Sequence, residues 1–354
     1  MQTGTLILLI VLAVIVAGLI FSYCFMRYVA WRVYRGTLVR TSPDVWGRSC
    51  SEPENPEQLA MWEKGLAWAS SAGIYVDDTL LGVLNNTERY QDLHIENDGF
   101  HLYGQYIDLG FDRAVIIVPG RCESLAYSYY FAPPYQEAGF NILVIDIRCH
   151  GLSSGKYDYV GIGEDSDMIA WARLLKKQFG NKEVWLHGIC MGANTSILAS
   201  VNPEAEAEAL FSGMILEGPY VSFRENYKEH LVTGNHPVWP ILDMVMHEVR
   251  KHTGVNVENA APIRHVGRIK IPTLILAGKQ DLYSVPDKTE QLFSACSAPG
   301  KKLVWFEEGS HSHLRIANEE AYDKAIADWL KTLSGLKIFR AKTPSEKAEK
   351  TETE

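Results

Sequence analysis

No two cysteines in this 354-residue chain stand close enough in sequence to form a metal or redox motif. The six (Cys24, Cys50, Cys122, Cys149, Cys190 and Cys296) are scattered singly, with no CxxC pair and no Cys/His ligand spacing. That excludes the familiar zinc patterns, and a chain of this length has no need of disulfide staples, so isolated thiols in a reducing compartment are expected. Runs of lysine and arginine are missing too. With 34 basic against 43 acidic side chains and a net charge of −9, the chain lacks the concentrated basic face that a nucleic-acid partner requires. It has no internal repeat, and nothing in it implies a metal or an organic cofactor. The most informative absence is local: no Asp, Glu, Lys, Arg or His occurs between Met1 and Met26.

What stands there instead is Leu, Ile, Val, Ala and Gly, almost without interruption from Thr5 to Phe25. About 20 apolar residues suffice for a helix to cross the hydrocarbon core. The run is longer than the apolar region of a signal peptide and has no positive residue before it, and a buried soluble helix rarely stays apolar on every face. Residues 1–26 are therefore expected to be a single transmembrane anchor. Arg27, Arg32, Arg35 and Arg40 follow it, which places the C-terminal body in the cytoplasm. Residues 27–88 read as a juxtamembrane linker with leading helices, and residues 341–354, all Lys, Glu, Thr, Ser, Ala and Pro, as a disordered tail. The sequons Asn85-Asn86-Thr87 and Asn194-Thr195-Ser196 read as chance matches, the second because it should lie in a packed core.

From about residue 89 to 340 the punctuation becomes regular. Gln91–Glu96, Asn97-Asp98-Gly99 and Phe100–Ile107 spell a hairpin. Short apolar runs follow at Ala114–Val118, Asn141–Ile145, Val184–His187, Met214–Leu216, Thr273–Leu276 and Leu303–Phe306, each suited to a strand buried on both faces. Amphipathic stretches such as Asp165–Phe179 and Tyr322–Leu333 lie between them. The alternation predicts an α/β fold with a mostly parallel sheet flanked by helices.

The strongest chemical signal is Val184-Trp185-Leu186-His187-Gly188-Ile189-Cys190-Met191-Gly192-Ala193. It reads as strand, Gly-x-Cys-x-Gly and helix: a nucleophile elbow, whose turn is too tight for side chains at the two glycines. Cys190 would stand at a helix N-terminus, which favours its thiolate; the alternative is a small buried hydrophobe. A base and an orienting acid should follow in chain order. Asp281 lies just past a strand at Leu274–Lys279, with Asp287 as a weaker competitor. His311 and His313 both lie just past the last strand. For the oxyanion hole, the Met191 N–H would supply one donor and the loop Pro119–Ser124 the other, through Arg121 N–H or, second, Cys122 N–H. The Arg121 side chain could meet a surface carboxylate or an anionic substrate.

At these residues the chain resembles the α/β-hydrolase superfamily over roughly Arg89 to Leu333, and more narrowly the bacterial serine aminopeptidase-like hydrolases. Asp146-Ile147-Arg148-Cys149-His150-Gly151-Leu152-Ser153-Ser154-Gly155 is similar to that group's D-x-R-G-H-G-x-S-x-G stretch, with Cys149 in place of a glycine. The resemblance implies a Cys190–Asp281–His311 triad, preferring His311 because a helix containing Glu320-Ala321-Tyr322 follows at the family's spacing. It also implies a small helical lid at about residues 219–270, apolar enough to line an acyl pocket. The family carries serine at the nucleophile position, but dienelactone hydrolase-like members of the superfamily use cysteine there. Pro119-Gly120 replaces the usual His-Gly of the oxyanion loop. The function expected is membrane-anchored hydrolysis of a small-molecule ester, thioester or lactone through an acyl-enzyme. The alternatives are acyl transfer by the same triad and a catalytically inactive hydrolase-fold interaction protein.

Overall fold

The computed structural model describes residues 3–41, 56–72, 76–77, 82–83 and 90–335. The tail at 341–354, the sequon at Asn85 and most of the link between residues 42 and 89 fall outside these. Helix α1 (Thr3–Leu38) opens the chain and α2 (Pro56–Ser71) follows. The sheet comprises β1 (Tyr90–Asn97), β2 (Phe100–Ile107), β3 (Arg113–Val118), β4 (Asn141–Ile145), β5 (Glu183–Ile189), β6 (Gly213–Glu217), β7 (Thr273–Gly278) and β8 (Lys302–Phe306). Interleaved are α3 (Leu125–Ser128), α4 (Pro133–Glu137), α5 (Asp165–Gln178), α6 (Met191–Ser200), α7 (Pro203–Ala207), α8 (Phe223–Thr233), α9 (Ile241–Thr253), α10 (Pro286–Ala295), α11 (Leu314–Ala317) and α12 (Glu319–Gly335).

The eight strands lie in the order β8-β7-β6-β5-β3-β4-β2-β1. The pairs β1–β2 and β2–β4 are antiparallel and the others parallel. β1 and β2 form the expected hairpin, with Asn97 opposite Phe100 and only Asp98 and Gly99 in the turn. The apolar runs occupy the centre: every residue of β4, β6 and β7 is buried. Their flanking helices make this possible, since a parallel strand has no face left for water. The sheet order reverses between β5 and β3, so the C-terminal ends of these strands open onto a crevice where ligands collect in such sheets.

Helix α1 departs from the anchor-then-linker expectation. It does not stop at Met26 but runs on to Leu38, and its two ends have different surroundings. Residues from Gly4 to Phe25 are exposed, whereas Ala30, Tyr34 and Leu38 are buried and Met26, Val29 and Val33 partly so. These positions recur every three or four residues, the spacing of one helix face. That face packs against α9: Arg27 Nη2 meets Glu248 Oε1 at 2.6 Å, and Tyr34 stacks on His252 at 5.6 Å. Thr37 and Tyr227 of α8 share a hydroxyl hydrogen bond of 2.6 Å. Arg40 then donates to the Ser153 and Gly151 carbonyls. The sequence between 27 and 40 is therefore part of the globular body, held by partners that lie 111 to 221 residues downstream.

Removing residues 1–25 should leave the urea midpoint of the body unchanged. Removing residues 1–40 should lower its stability by about 3–5 kcal/mol, from the lost burial of Tyr34, Leu38 and Val39. Urea unfolding followed by circular dichroism on the two truncated chains distinguishes these outcomes.

Candidate active site

The turn from β5 into α6 is as tight as the sequence implied. A Cβ on Gly188 would stand 2.3 Å from the Gly192 carbonyl oxygen, and one on Gly192 only 2.1 Å from the Val118 oxygen. Neither position admits a side chain without moving backbone. Between them Cys190 sits at φ 50°, ψ −108°, a left-handed conformation that costs a non-glycine residue on the order of 1–3 kcal/mol. Its own N–H donates to the Glu217 carbonyl at 2.9 Å, which fastens the elbow to β6. Cys190 is 8% exposed at the N-terminus of α6.

Asp281 and His311 meet, although 30 residues separate them. The His311 Nδ1 donates to Asp281 Oδ2 at 2.7 Å, while Asp281 Oδ1 accepts the N–H groups of Tyr283 and Ser284, each at 2.8 Å. Burial alone would raise the Asp281 carboxyl, but the His311 charge and these hydrogen bonds hold it below the ordinary range. Burial likewise opposes charge on His311, yet the negative Cys190 and Asp281 beside it raise the imidazole well above its usual value. With Nδ1 taken by Asp281, the imidazole's other side-chain hydrogen bond is with Cys190.

The competitors lie elsewhere. Asp287 is exposed in the first turn of α10. His313 turns away, its Nδ1 bonding Ser310 Oγ at 2.9 Å and Glu57 Oε2 at 3.2 Å. Asn194 is buried in α6, in keeping with a sequon that carries no glycan.

The loop after β3 narrows the oxyanion candidates. Cys122 N–H is already taken, donating to His150 Nε2 at 3.0 Å. His150 Nδ1–H in turn donates to the Arg148 carbonyl at 2.9 Å, and burial pushes the His150 pKa down to about 3, keeping it neutral. The N–H groups of Arg121 and Met191 have no backbone partner among the described residues. The Met191 donor is one of the unpaired N–H groups at the start of a helix. The Arg121 guanidinium forms no direct ion pair there. It donates to the Thr37 carbonyl at 3.1 Å, capping the C-terminal turn of α1.

The Asp146–Gly155 stretch supports this loop rather than forming part of the triad. Asp146 accepts Leu125 N–H and Leu152 N–H at 2.8 Å each, and burial raises its pKa to about 7. Arg148 is clamped by Asp167 at 2.7 Å and Asp98 at 2.9 Å. Cys149, where the similar families carry glycine, has φ 60°; the backbone there asks for glycine, and the cysteine accepts the strain.

Two buried carboxyls went unnoticed in the sequence. Glu123 folds back so that Oε2 accepts Gly120 N–H at 2.8 Å, bracing the loop after β3. Glu217 accepts Tyr322 O–H at 2.5 Å and Leu314 N–H at 3.2 Å, and Tyr322 also contacts His187 at 3.1 Å. Burial raises both carboxyls to about 7. The one available hint was a glutamate ending an otherwise apolar strand, Met214–Glu217, where an unpaired charge would be costly.

Comparison with known proteins adds to this geometry. Residues 111–263 match the family described as serine aminopeptidase, S33. The esterase Pf2001 of Pyrococcus furiosus superposes with a TM-score of 0.58 at 19% identity, covering 75% of this chain and 93% of its own. The chain has the α/β-hydrolase fold. The α/β hydrolase GrgF from a Penicillium species superposes with a TM-score of 0.52 at 18% identity, covering 69% and 98%. An uncharacterized protein of Bacillus subtilis, YqkD, is 26% identical over 224 residues, 63% of this chain and 72% of the relative. These matches support a hydrolase. The family segment includes Cys190 and the oxyanion loop and stops before Asp281 and His311, which the hydrolase fold brings back by way of β7 and β8.

Glu217 gives a test of the buried network. It ionises near 7 when folded but near its ordinary 4.5 when unfolded, so between these values the folded chain holds a proton that the unfolded chain has released. Stability therefore falls as pH climbs through that window. Going from pH 5 to pH 8, Glu217→Gln should lose about 2–3 kcal/mol less stability than the wild type, read by urea unfolding at both pH values.

Proposed function

We propose that this protein is a membrane-anchored acyl hydrolase in which Cys190 is the nucleophile, His311 the general acid and base, and Asp281 the residue that orients His311. The observation that carries the reading is the 2.7 Å His311 Nδ1 to Asp281 Oδ2 hydrogen bond beside a cysteine held in an elbow conformation. It leaves Nε2 as the ring atom free for proton transfer.

In this mechanism the Cys190 thiolate attacks the acyl carbon and the carbonyl π electrons move to oxygen. The resulting oxyanion is met by the N–H groups of Arg121 and Met191. On collapse, the His311 imidazolium gives its Nε2 proton to the departing alkoxide or thiolate, leaving a thioester on Cys190. Water then adds to that thioester, His311 takes its proton, and the acid product leaves as the Cys190 thiolate and the imidazolium are restored. A thiolate nucleophile suits esters, thioesters and lactones, whose leaving groups depart readily. An amide nitrogen must be protonated before the better-leaving sulfur is re-expelled. That the similar Pyrococcus protein is an esterase agrees with this preference. The exposed, uncharged first part of α1 serves as the anchor, a candidate span by length and composition. The arginines that follow it set the body on the cytoplasmic side.

Cys190→Ala and His311→Asn should each lower kcat/KM for a short p-nitrophenyl ester by about 10³-fold or more, while His313→Asn should lower it less than about threefold. Steady-state kinetics on purified full-length protein decides. Unchanged turnover by Cys190→Ala removes the thiol from the mechanism.

A further inference from the structure

The lid carries the most exposed large apolar side chain outside α1. Trp239 is 81% exposed, and Val232, in the last turn of α8 just before the same loop, is 50% exposed. Between them run Thr233-Gly234-Asn235-His236-Pro237-Val238, and no Asp, Glu, Lys or Arg occurs anywhere from His230 to Leu242. An uncharged loop with a tryptophan at its tip is poorly suited to water. It has the composition of the aromatic belt at a membrane surface.

Its position relative to α1 decides what it meets. Contacts between α1 and α9 run in the same order along both helices, Arg27 with Glu248 and then Tyr34 with His252, so the two helices point the same way. The N-terminus of α9 at Ile241 thus lies toward the apolar span. At 1.5 Å per residue, the seven residues from Glu248 back to Ile241 carry the chain about 10 Å beyond the level of Arg27, to about the level of Ile20. Trp239 immediately precedes that end. Arg27 marks the first charge after the span, and each headgroup layer is about 5–8 Å deep. The exposed Tyr23, Tyr28 and Trp31 of α1 bracket the same zone.

We propose that the loop between α8 and α9, with Trp239 at its tip, is seated in the bilayer that α1 spans, and that the site takes acyl substrates residing in that bilayer. The inference rests on the reading of α1 as an anchor and on the hydrolase site above. Helix α8 connects loop and site. Its His230 stacks on Tyr283 at 4.1 Å, and Tyr283 meets His311 edge-on at 5.4 Å. An amphiphile leaving the interface beside Val232 would travel along α8 to reach Cys190, which favours an ester with a long acyl chain over a small soluble one.

The test uses the full-length protein reconstituted in phosphatidylcholine–phosphatidylglycerol vesicles. Subtracting the emission of Trp239→Phe from that of the wild type isolates Trp239. With bromine on the upper acyl-chain carbons, that difference signal should fall by about half or more; equal signals in brominated and unbrominated vesicles overturn the proposal. Trp239→Asp should lower kcat/KM by about tenfold for a long-chain ester carried in the vesicles and leave a soluble acetate ester unchanged. An equal loss on both substrates overturns it, and the quenching comparison stands even where the aspartate variant does not fold. Release of the protein by alkaline carbonate overturns the anchor reading and this one with it. Retention with unquenched Trp239 overturns only the seating of the lid.

Discussion

Where β5 turns into α6, the backbone passes so close to the end of β3 that the Val118 carbonyl oxygen fills the space a Gly192 side chain would need. That approach is a steric constraint, and much of the site follows from it. It holds Cys190 at a positive φ at the N-terminus of α6. It also brings the loop after β3 alongside, so that a Cβ on Gly120 would lie 3.5 Å from the Cys190 Cβ. The strain at Cys190 is sustained because β6 and β3 hold the turn from both sides, through the Glu217 carbonyl and the Val118–Pro119 backbone. A strained residue persists only where its surroundings over-determine it.

The electrostatics around this turn sort carboxyls by environment. Glu123, Glu217 and Asp146 are buried with few donors, and burial dominates, raising each to about 7. Asp281 is nearly as buried but receives two backbone N–H groups and the imidazole, which keep it charged. Asp281 thus stays anionic beside His311 while these three tilt toward the neutral form. The division matters because a second fixed anion close to His311 would compete with Asp281 for its orientation.

Helix α1 joins two environments in one continuous rod. Its first part has no partner among the described residues, and its last three turns carry an apolar face packed on α9. Because the Thr37 carbonyl takes the Arg121 guanidinium and the Thr37 hydroxyl takes Tyr227, the end of the rod touches both the oxyanion loop and α8. In the proposed function the membrane span is thus attached to the catalytic machinery without a flexible tether.

The sequence by itself determined the strands, the hairpin turn and the elbow. These depend on short-range rules: an Asp98-Gly99 pair between alternating runs, apolar segments that fit only a two-sided core, and two glycines at fixed distances from Cys190. It also bounded the acid and the histidine to the loops after β7 and β8, but left His311 and His313 equivalent until the resemblance weighed in. Only the tertiary structure separated them, since one meets Asp281 and the other Glu57, and neither partner is near in sequence. The same reason hid Glu123 and the role of His150, whose meaning comes from Gly120 and Cys122 across a loop. It also hid the second half of α1. Four spaced arginines after an apolar span read as a membrane flank by local pattern, yet every three or four residues this segment carries a side chain packed against the body. Local chemistry fixes which conformation a segment can take; which face of it is buried depends on what the rest of the chain places against it.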